Sequence, residues 1–245
     1  MNPPRKPQVR LGYSKLGKVR FTSHRDMARI WERAVRKVQL PIAYSEGFSP
    51  RAKLSFGLAL PTVFESLNEY VDLTFDEPVE VVGLPQLLTD VLPVGVEVTG
   101  VVALEGKNDS LQECVESTEW SLFVDGDIAD WTTWAGETLA ADELLVTRER
   151  KGKCRTDDVR PAILGVEIHA SIDPAAPAAT VEVRTHLATK PRALRPLELL
   201  DINQPADTSL VLGRRTHQFI APSGARRDPL AVGAAEAPHS LSCAS

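Results

Sequence analysis

The strongest constraint on the fold of this chain of 245 residues is an order of secondary-structure elements that recurs along it. In the first half, hydrophobic periodicity and turn residues predict the order strand, helix, strand, strand, helix, strand. The predicted elements span 9–21, 23–38, 54–60, 70–75, 86–91 and 94–104. This order is typical of the split ferredoxin-like βαββαβ motif.

A similar order recurs in the second half, with strands on both sides of a basic bend. Its predicted elements span 120–124, 131–140, 144–150, 162–169, 180–187, 195–202 and 209–220. We therefore predict an α+β protein with duplicated ferredoxin-like halves, residues 8–104 and 120–220, and antiparallel sheets. The acidic segment 105–119 is the predicted linker, and the Ala-, Pro- and Ser-rich segment 221–245 is predicted to be a disordered tail.

The net charge of −5 conceals a strong segregation of charge along the chain. Residues 1–60 contain 13 lysines and arginines against three acids, whereas residues 61–145 contain one lysine and 19 acids. Residues 146–227 are basic again, with 14 cations and nine acids. The two basic blocks could together form a surface for a polyanion. Alternatively, the opposite charges meet inside the fold and neutralise each other.

The first predicted helix has one apolar and one cationic face. Apolar residues recur at helical spacing from Met27 to Val38, and Ser23 precedes them at a position typical of an N-cap. The opposite face holds Arg25, Arg29, Arg33, Arg36 and Lys37. Like charges one turn apart repel each other, so a bound anion would stabilise this helix. The alternative is a solvated basic face without a ligand.

The loop that follows, residues 41–53, interleaves aromatic and cationic side chains. It contains Tyr44, Phe48, Arg51 and Lys53 among glycine and proline residues. Aromatic rings stack on bases and cations pair with phosphates, so this composition indicates binding of single-stranded nucleic acid. The alternative is a structural turn whose aromatic rings are buried in the core.

A second basic cluster lies at a predicted hairpin tip or bend of the second half. Its members are Arg148, Arg150, Lys151, Lys153, Arg155 and Arg160, and Arg192, Arg195, Arg214 and Arg215 could join it across the sheet. Such a cluster fits contacts with phosphates, and we predict RNA contacts for Lys151, Lys153 and Arg160. The alternative is an exposed charged turn.

Histidines supply the candidate reactive groups. His24 lies at the predicted helix start, where the imidazole favours its neutral form, so it could act as a base, contact a substrate or simply cap the helix. His169, His186 and His217 lie on predicted strands, but their spacing is not typical of a metal site. Phosphate-binding, dinucleotide-binding and common hydrolase motifs do not occur, so we predict no metal and no cofactor.

Composition and cysteine content narrow the class of protein. With 43% hydrophobic and 25% charged residues, the chain has a globular composition. No apolar run is long enough to span a membrane, and the basic, Pro-rich start is not a secretory signal. We therefore expect a cytoplasmic protein without membrane contacts. Cys114, Cys154 and Cys243 are far apart, so we predict free thiols rather than ligands of zinc or an iron–sulfur cluster.

One motif spans the cationic helix and the loop: Ser-His-x-Asp, an Arg-rich helix, Leu-Pro, and Tyr-Ser-x-Gly-Phe-x-Pro. Its residues are Ser23, His24, Asp26, Arg33, Leu40, Pro41, Tyr44, Ser45, Gly47, Phe48 and Pro50. In this motif the segment 21–61 resembles the radical-SAM-linked proteins, a bacterial family of unknown function. Members occur beside, or fused to, a radical S-adenosylmethionine protein. The resemblance implies such a partner, but no established activity and no catalytic residues.

These observations lead to one main hypothesis and two alternatives. We expect an accessory protein of a radical S-adenosylmethionine enzyme, without catalytic activity of its own. It binds transfer or ribosomal RNA, without DNA specificity, through the basic helix and the aromatic loop. The first alternative is a metal-independent ribonuclease or RNA-modifying enzyme with His24 as general base, assisted by Tyr44 or Arg51. The second is a docking module whose basic helix binds an acidic protein.

Overall fold

The computed structural model describes residues 5–105, 110–150, 152–220 and 226–231, and within them the fold is mixed α+β with a largely antiparallel sheet and five helices. The strands are β1 (Gln8–Lys15), β2 (Leu54–Phe56), β3 (Glu65–Thr74), β4 (Val98–Leu104), β5 (Val115–Val124), β6 (Leu145–Arg150), β7 (Lys153–Asp158), β8 (Ile163–Ala170), β9 (Val181–Ala188) and β10 (Leu210–Ile220). The helices are α1 (His24–Lys37), α2 (Leu84–Thr89), α3 (Leu111–Cys114), α4 (Ile128–Ala140) and α5 (Pro196–Leu200). None of these helices is both long and apolar enough to cross a membrane.

Eight strands form one continuous sheet rather than one sheet for each half. The strand order is β4-β1-β3-β10-β5-β9-β8, and β2 pairs with β3. Every pair is antiparallel except β3 and β10, which are parallel and join the first half to the second. The basic segment predicted as a hairpin tip or bend forms a hairpin: β6 and β7 make a separate two-stranded sheet with Gly152 at the turn.

Four helices cover one face of the sheet. The apolar sides of α1 and α2 pack on alternate residues of β1 and β3, and those of α4 and α5 pack on β5 and β9. Tryptophans anchor both layers. Trp31 of α1 contacts Tyr13 of β1 edge-on, with 5.0 Å between ring centroids, and Trp131 of α4 donates to the carbonyl of Asp125, directly after β5, at 2.9 Å. The opposite face of the sheet carries no α-helix in the described part of the chain, and a short 3-10 helix, Pro229–Ala231, lies on it over the first half.

The joint between the halves is a buried ion pair. Arg215 on β10 donates from Nε and Nη2 to Glu69 on β3, at 2.9 and 2.6 Å. These residues are only 1% and 6% exposed, and the guanidinium lies 5.2 Å from the ring centroid of Trp120. Beside the pair, a Cβ at position 213 would lie 2.1 Å from the ring of Phe64, so only glycine allows this approach.

The segment predicted as a linker is partly built into the fold. Residues 106–109 lie outside the described residues, but α3 and the first residues of β5 fall within 105–119. Leu111 and Val115 are buried there, at 0% and 1% exposure. Composition could not reveal this, because two apolar residues in a polar segment are enough to fix it to the core.

Residues 226–231, which we call the strap, belong to the segment predicted as a disordered tail, and the structure describes them. The strap packs on the face of the sheet that has no α-helix. Leu230 lies over Gly12 and Gly100, where added Cβ atoms would come within 3.1 and 2.5 Å of it. Arg10 donates to the carbonyl of Pro229 at 3.2 Å. Residues 221–225 and 232–245 lie outside the described residues.

We expect Glu69→Gln to lower the free energy of unfolding by about 3–5 kcal/mol, because it leaves the buried charge of Arg215 without a counter-ion. Urea unfolding followed by circular dichroism measures this loss. The matched control, Asp76→Asn, breaks the exposed ion pair with Lys6 and should cost less than about 1 kcal/mol. Equal losses in the two variants would show that the joint does not depend on this pair.

Candidate nucleic-acid interface

Helix α1 directs its predicted cations to solvent. Ser23 caps the helix, since its Oγ accepts a hydrogen bond from the backbone N–H of Asp26 at 3.2 Å. The apolar side of α1 is buried against the sheet. At 3.6 residues per turn, the opposite side presents Arg25, Arg29, Arg33, Arg36 and Lys37, all of which are exposed. We call these five residues the cationic face.

A single ion pair involves the cationic face in the part of the chain that the structure describes. Arg29 contacts Asp26 at 3.1 Å, and both side chains are about half exposed. The pKa of Asp26 is lowered by the hydrogen bond from the Ser23 hydroxyl, and further by Arg29. Asp26 therefore remains a carboxylate at neutral pH and offsets one cation, so the cationic face keeps a net positive charge.

The loop after α1 is a closed turn, which we call the clasp (residues 41–53). The backbone N–H of Ser45 donates to the carbonyl of Arg51 at 2.8 Å, and the N–H of Arg51 donates to Oγ of Ser45 at 3.0 Å. Gly47 at the tip has a φ of 122°, which disfavours any residue with a Cβ. These bonds hold the tip in a defined conformation.

The clasp presents aromatic rings to solvent. Phe48 is completely exposed, with an accessibility of 110% of the reference value, and Tyr44 is 41% exposed. The alternative in which these rings fill the core is therefore wrong. Arg51 and Lys53 are exposed as well. The clasp begins four residues after α1 ends, so its rings and cations continue the chain segment that carries the cationic face.

His24 is an exposed residue at the start of α1. Its ring packs edge-on against Phe56 of β2, with 5.5 Å between ring centroids. Within the described residues, no hydrogen bond or ion pair of this ring is present that would orient it as a general base. The contact with Phe56 instead joins the start of the helix to the strand that follows the clasp.

The second basic cluster does not form one free surface. Arg160 donates to the carbonyls of Leu139 and Ile163, at 2.8 and 3.1 Å, so its guanidinium holds the end of α4. Other members form ion pairs: Arg148 with Glu198, Arg155 and Arg192 with Asp157, Arg214 with Glu65 and Asp173, and Arg215 with Glu69. Lys153 belongs to β7, and Lys151 lies outside the described residues.

The match to a protein family covers most of the chain. Residues 8–196 match the family described as an uncharacterized protein conserved in bacteria, DUF2344. The chain belongs to this family. The matched region includes α1, the clasp and the joint residue Glu69, so these features lie within the part that defines DUF2344 membership.

No curated protein matches the sequence. Among solved structures, a chain of "Crystal Structure of a Cbf5-Nop10-Gar1 Complex" is similar to this chain with a TM-score of 0.41 and 11% identity. The alignment covers 85% of this chain and 49% of that one, so this chain spans about half of its length. Such a distant likeness does not indicate a shared function.

The structure brings two of the three strand histidines to one groove. His186 and His217 line one groove with Glu119, on the face of the sheet without helices. No group of three or more potential metal ligands occurs in the described part of the chain, and Cys154 there is an exposed free thiol. Strand register decides this arrangement, and no spacing in the sequence indicates it.

We expect Phe48→Ala to change the free energy of unfolding by less than about 0.5 kcal/mol, because the ring contacts no core. The control, Phe64→Ala, removes a buried ring and should cost about 3–5 kcal/mol. Urea unfolding of both variants gives the comparison. A large loss for Phe48→Ala would mean that the ring supports the fold rather than a ligand.

Proposed function

We propose that this DUF2344 protein binds single-stranded RNA through the cationic face of α1 and the clasp. The observation that carries the proposal is the completely exposed ring of Phe48, held at the tip of a closed turn that directly follows a row of exposed cations. Exposed single apolar residues are common, but an exposed ring on a closed turn, in the same chain segment as many exposed cations, is the combination that base stacking and phosphate pairing require.

The two parts of this surface have different tasks. Arg25, Arg33 and Lys37 contact phosphates and position the strand without reading its sequence. Phe48 and Tyr44 stack on unpaired bases, which every base allows because each has an aromatic face. Loops and ends of transfer or ribosomal RNA offer such bases, so they are the proposed ligands. This role places the protein in the cytoplasm.

We further propose that a radical S-adenosylmethionine enzyme is the protein partner. The support is the resemblance of the segment 21–61 to proteins found beside such enzymes. The exposed acids Asp76, Glu77, Glu80 and Asp90 give the first half a surface of opposite charge to the RNA-binding surface. In this arrangement the protein presents RNA through α1 and contacts the enzyme through the acidic surface.

The strand order supports a proposal about the origin of the fold. In the first half, the order across the sheet is β4-β1-β3-β2, and in the second it is β10-β5-β9-β8. Both orders place the last strand next to the first and the third next to the second, with the β6–β7 hairpin as an insertion. We propose that the two halves are ferredoxin-like repeats that share one sheet.

We expect Arg33→Glu with Lys37→Glu to weaken RNA binding at least about tenfold at low salt. The slope of log affinity against log salt should also become shallower by roughly 1.4, since each phosphate contact with a single strand contributes about 0.7. Fluorescence anisotropy with a labelled single-stranded RNA across a salt series measures both quantities.

The matched control for this experiment is Arg155→Glu with Lys190→Glu, which changes the net charge equally at exposed sites of the second half. If the control and the test variant lose RNA affinity equally, the cationic face is not the RNA-binding surface. If the native protein binds no RNA at low salt, the proposal fails and the docking alternative takes its place. Co-purification with the radical enzyme after nuclease treatment then tests that alternative.

We expect Phe48→Ala to weaken RNA binding by about 1–3 kcal/mol while leaving the salt slope unchanged, because stacking involves no counter-ion release. The same salt series measures both the loss of affinity and the slope. Phe48→Trp serves as the control, because it keeps an aromatic face and should retain the affinity. An alanine variant that binds as tightly as the native protein would remove Phe48 from the interface.

A further inference from the structure

A groove of about 520 Å³ lies on the face of the sheet without helices, over the second half. Its floor is a row of residues directly opposite one another on four strands, namely Gly165 on β8, His186 on β9, Glu119 on β5 and His217 on β10. Their neighbours on the other face, such as Trp120, belong to the core under the helices. The groove is therefore separated from the cationic face by the sheet.

Gly165 gives the groove its depth. It is the only member of the floor row without a side chain, and it lies beside His186. A Cβ at this position would contact nothing closer than the Cβ of His186, at 4.0 Å, so packing does not require glycine here. The missing side chain leaves open space next to the imidazole. The volume falls within the range of small-molecule sites, about 300–1,000 Å³.

His186 is a buried residue with an unsatisfied ring nitrogen. It lines the groove and is only 8% exposed, yet its Nε2 has no hydrogen bond within the described residues. The ring is held edge-on against Phe219, with 5.7 Å between centroids. Burial, and then the charge of Arg226, lower the pKa of His186, so the ring is neutral at pH 7. A neutral imidazole offers one donor and one acceptor.

The charged groups of the groove disfavour an anionic ligand. Its lining contains three carboxylates, those of Glu119, Glu167 and Glu182, and two guanidiniums, those of Arg184 and Arg226. Glu119 lies 3.3 Å from Nδ1 of His217 and 3.4 Å from Arg226. The acids thus remain in excess. They would repel a phosphate and would accept hydrogen bonds from N–H donors of an uncharged ligand.

We propose that this groove binds a neutral nucleoside, with the base edge hydrogen-bonded to Glu119 and His186. A base combines flat apolar faces, which suit the half-exposed Leu164 at the wall, with in-plane donors and acceptors. Guanine presents two adjacent N–H donors on its pairing edge, and a carboxylate accepts both. Guanosine is therefore the preferred ligand. This site lies outside the RNA-binding surface proposed above and does not depend on it.

Calorimetric titration of the full chain with the four ribonucleosides and with guanosine 5′-monophosphate tests this proposal. We expect guanosine to bind most tightly and its monophosphate to bind more weakly, because the added charge meets the carboxylates. Saturation by none of the nucleosides at millimolar concentration would overturn the proposal. Tighter binding of the monophosphate than of guanosine would overturn it as well.

A pair of variants on one strand locates the site. Gly165→Leu fills the groove and should weaken guanosine binding at least tenfold, whereas Ala170→Leu adds the same side chain at an exposed position of β8 outside the groove and should leave it unchanged. Thermal unfolding confirms that both variants fold. Unchanged guanosine affinity in folded Gly165→Leu would overturn the proposal. Binding of single-stranded RNA by Gly165→Leu should stay native, which separates this test from that of the cationic face.

Discussion

The buried ion pair between Arg215 and Glu69 is the contact on which the architecture depends. Strands β3 and β10 pair over only two residue positions, so backbone hydrogen bonds alone are a short connection between the halves. The ion pair, the ring of Trp120 beside it and the ring of Phe64 against Gly213 fill this joint. A buried charge without its partner is costly, so the two halves are stable in this one relative position.

The joint also determines the two faces of the molecule. Arg215 and Glu69 lie on the same side of the sheet as Trp120 and Tyr13, and this is the side that the helices of both halves cover. The other side is left to shorter elements: the strap covers the first half, and the groove remains over the second. A single sheet with helices on one face thus has two different surfaces at the proposed ligand sites, a cationic one at α1 and a groove of mixed charge.

The segregated charge of the sequence has two outcomes in the structure. Cations from the first and third blocks form ion pairs with acids of the middle block, as in Arg10 with Asp72 and Arg214 with Glu65. The charges in these ion pairs are neutralised within the fold. The guanidinium of Arg160 is likewise engaged, because it donates hydrogen bonds to two backbone carbonyls. The cationic face differs, because the carboxylate that contacts it comes from its own first turn.

The sequence by itself determined what depends on neighbours along the chain. The N-cap Ser23, the apolar spacing from Met27 to Val38 and the exposure of the opposite cations are all consequences of helical periodicity. Only the tertiary structure decided what depends on strand register and on contacts between distant residues. The ordered strap, the burial of Arg215 and the row from Gly165 to His217 each join residues from different strands. A shift of register by one residue would turn every such side chain to the other face, and no local pattern records that choice.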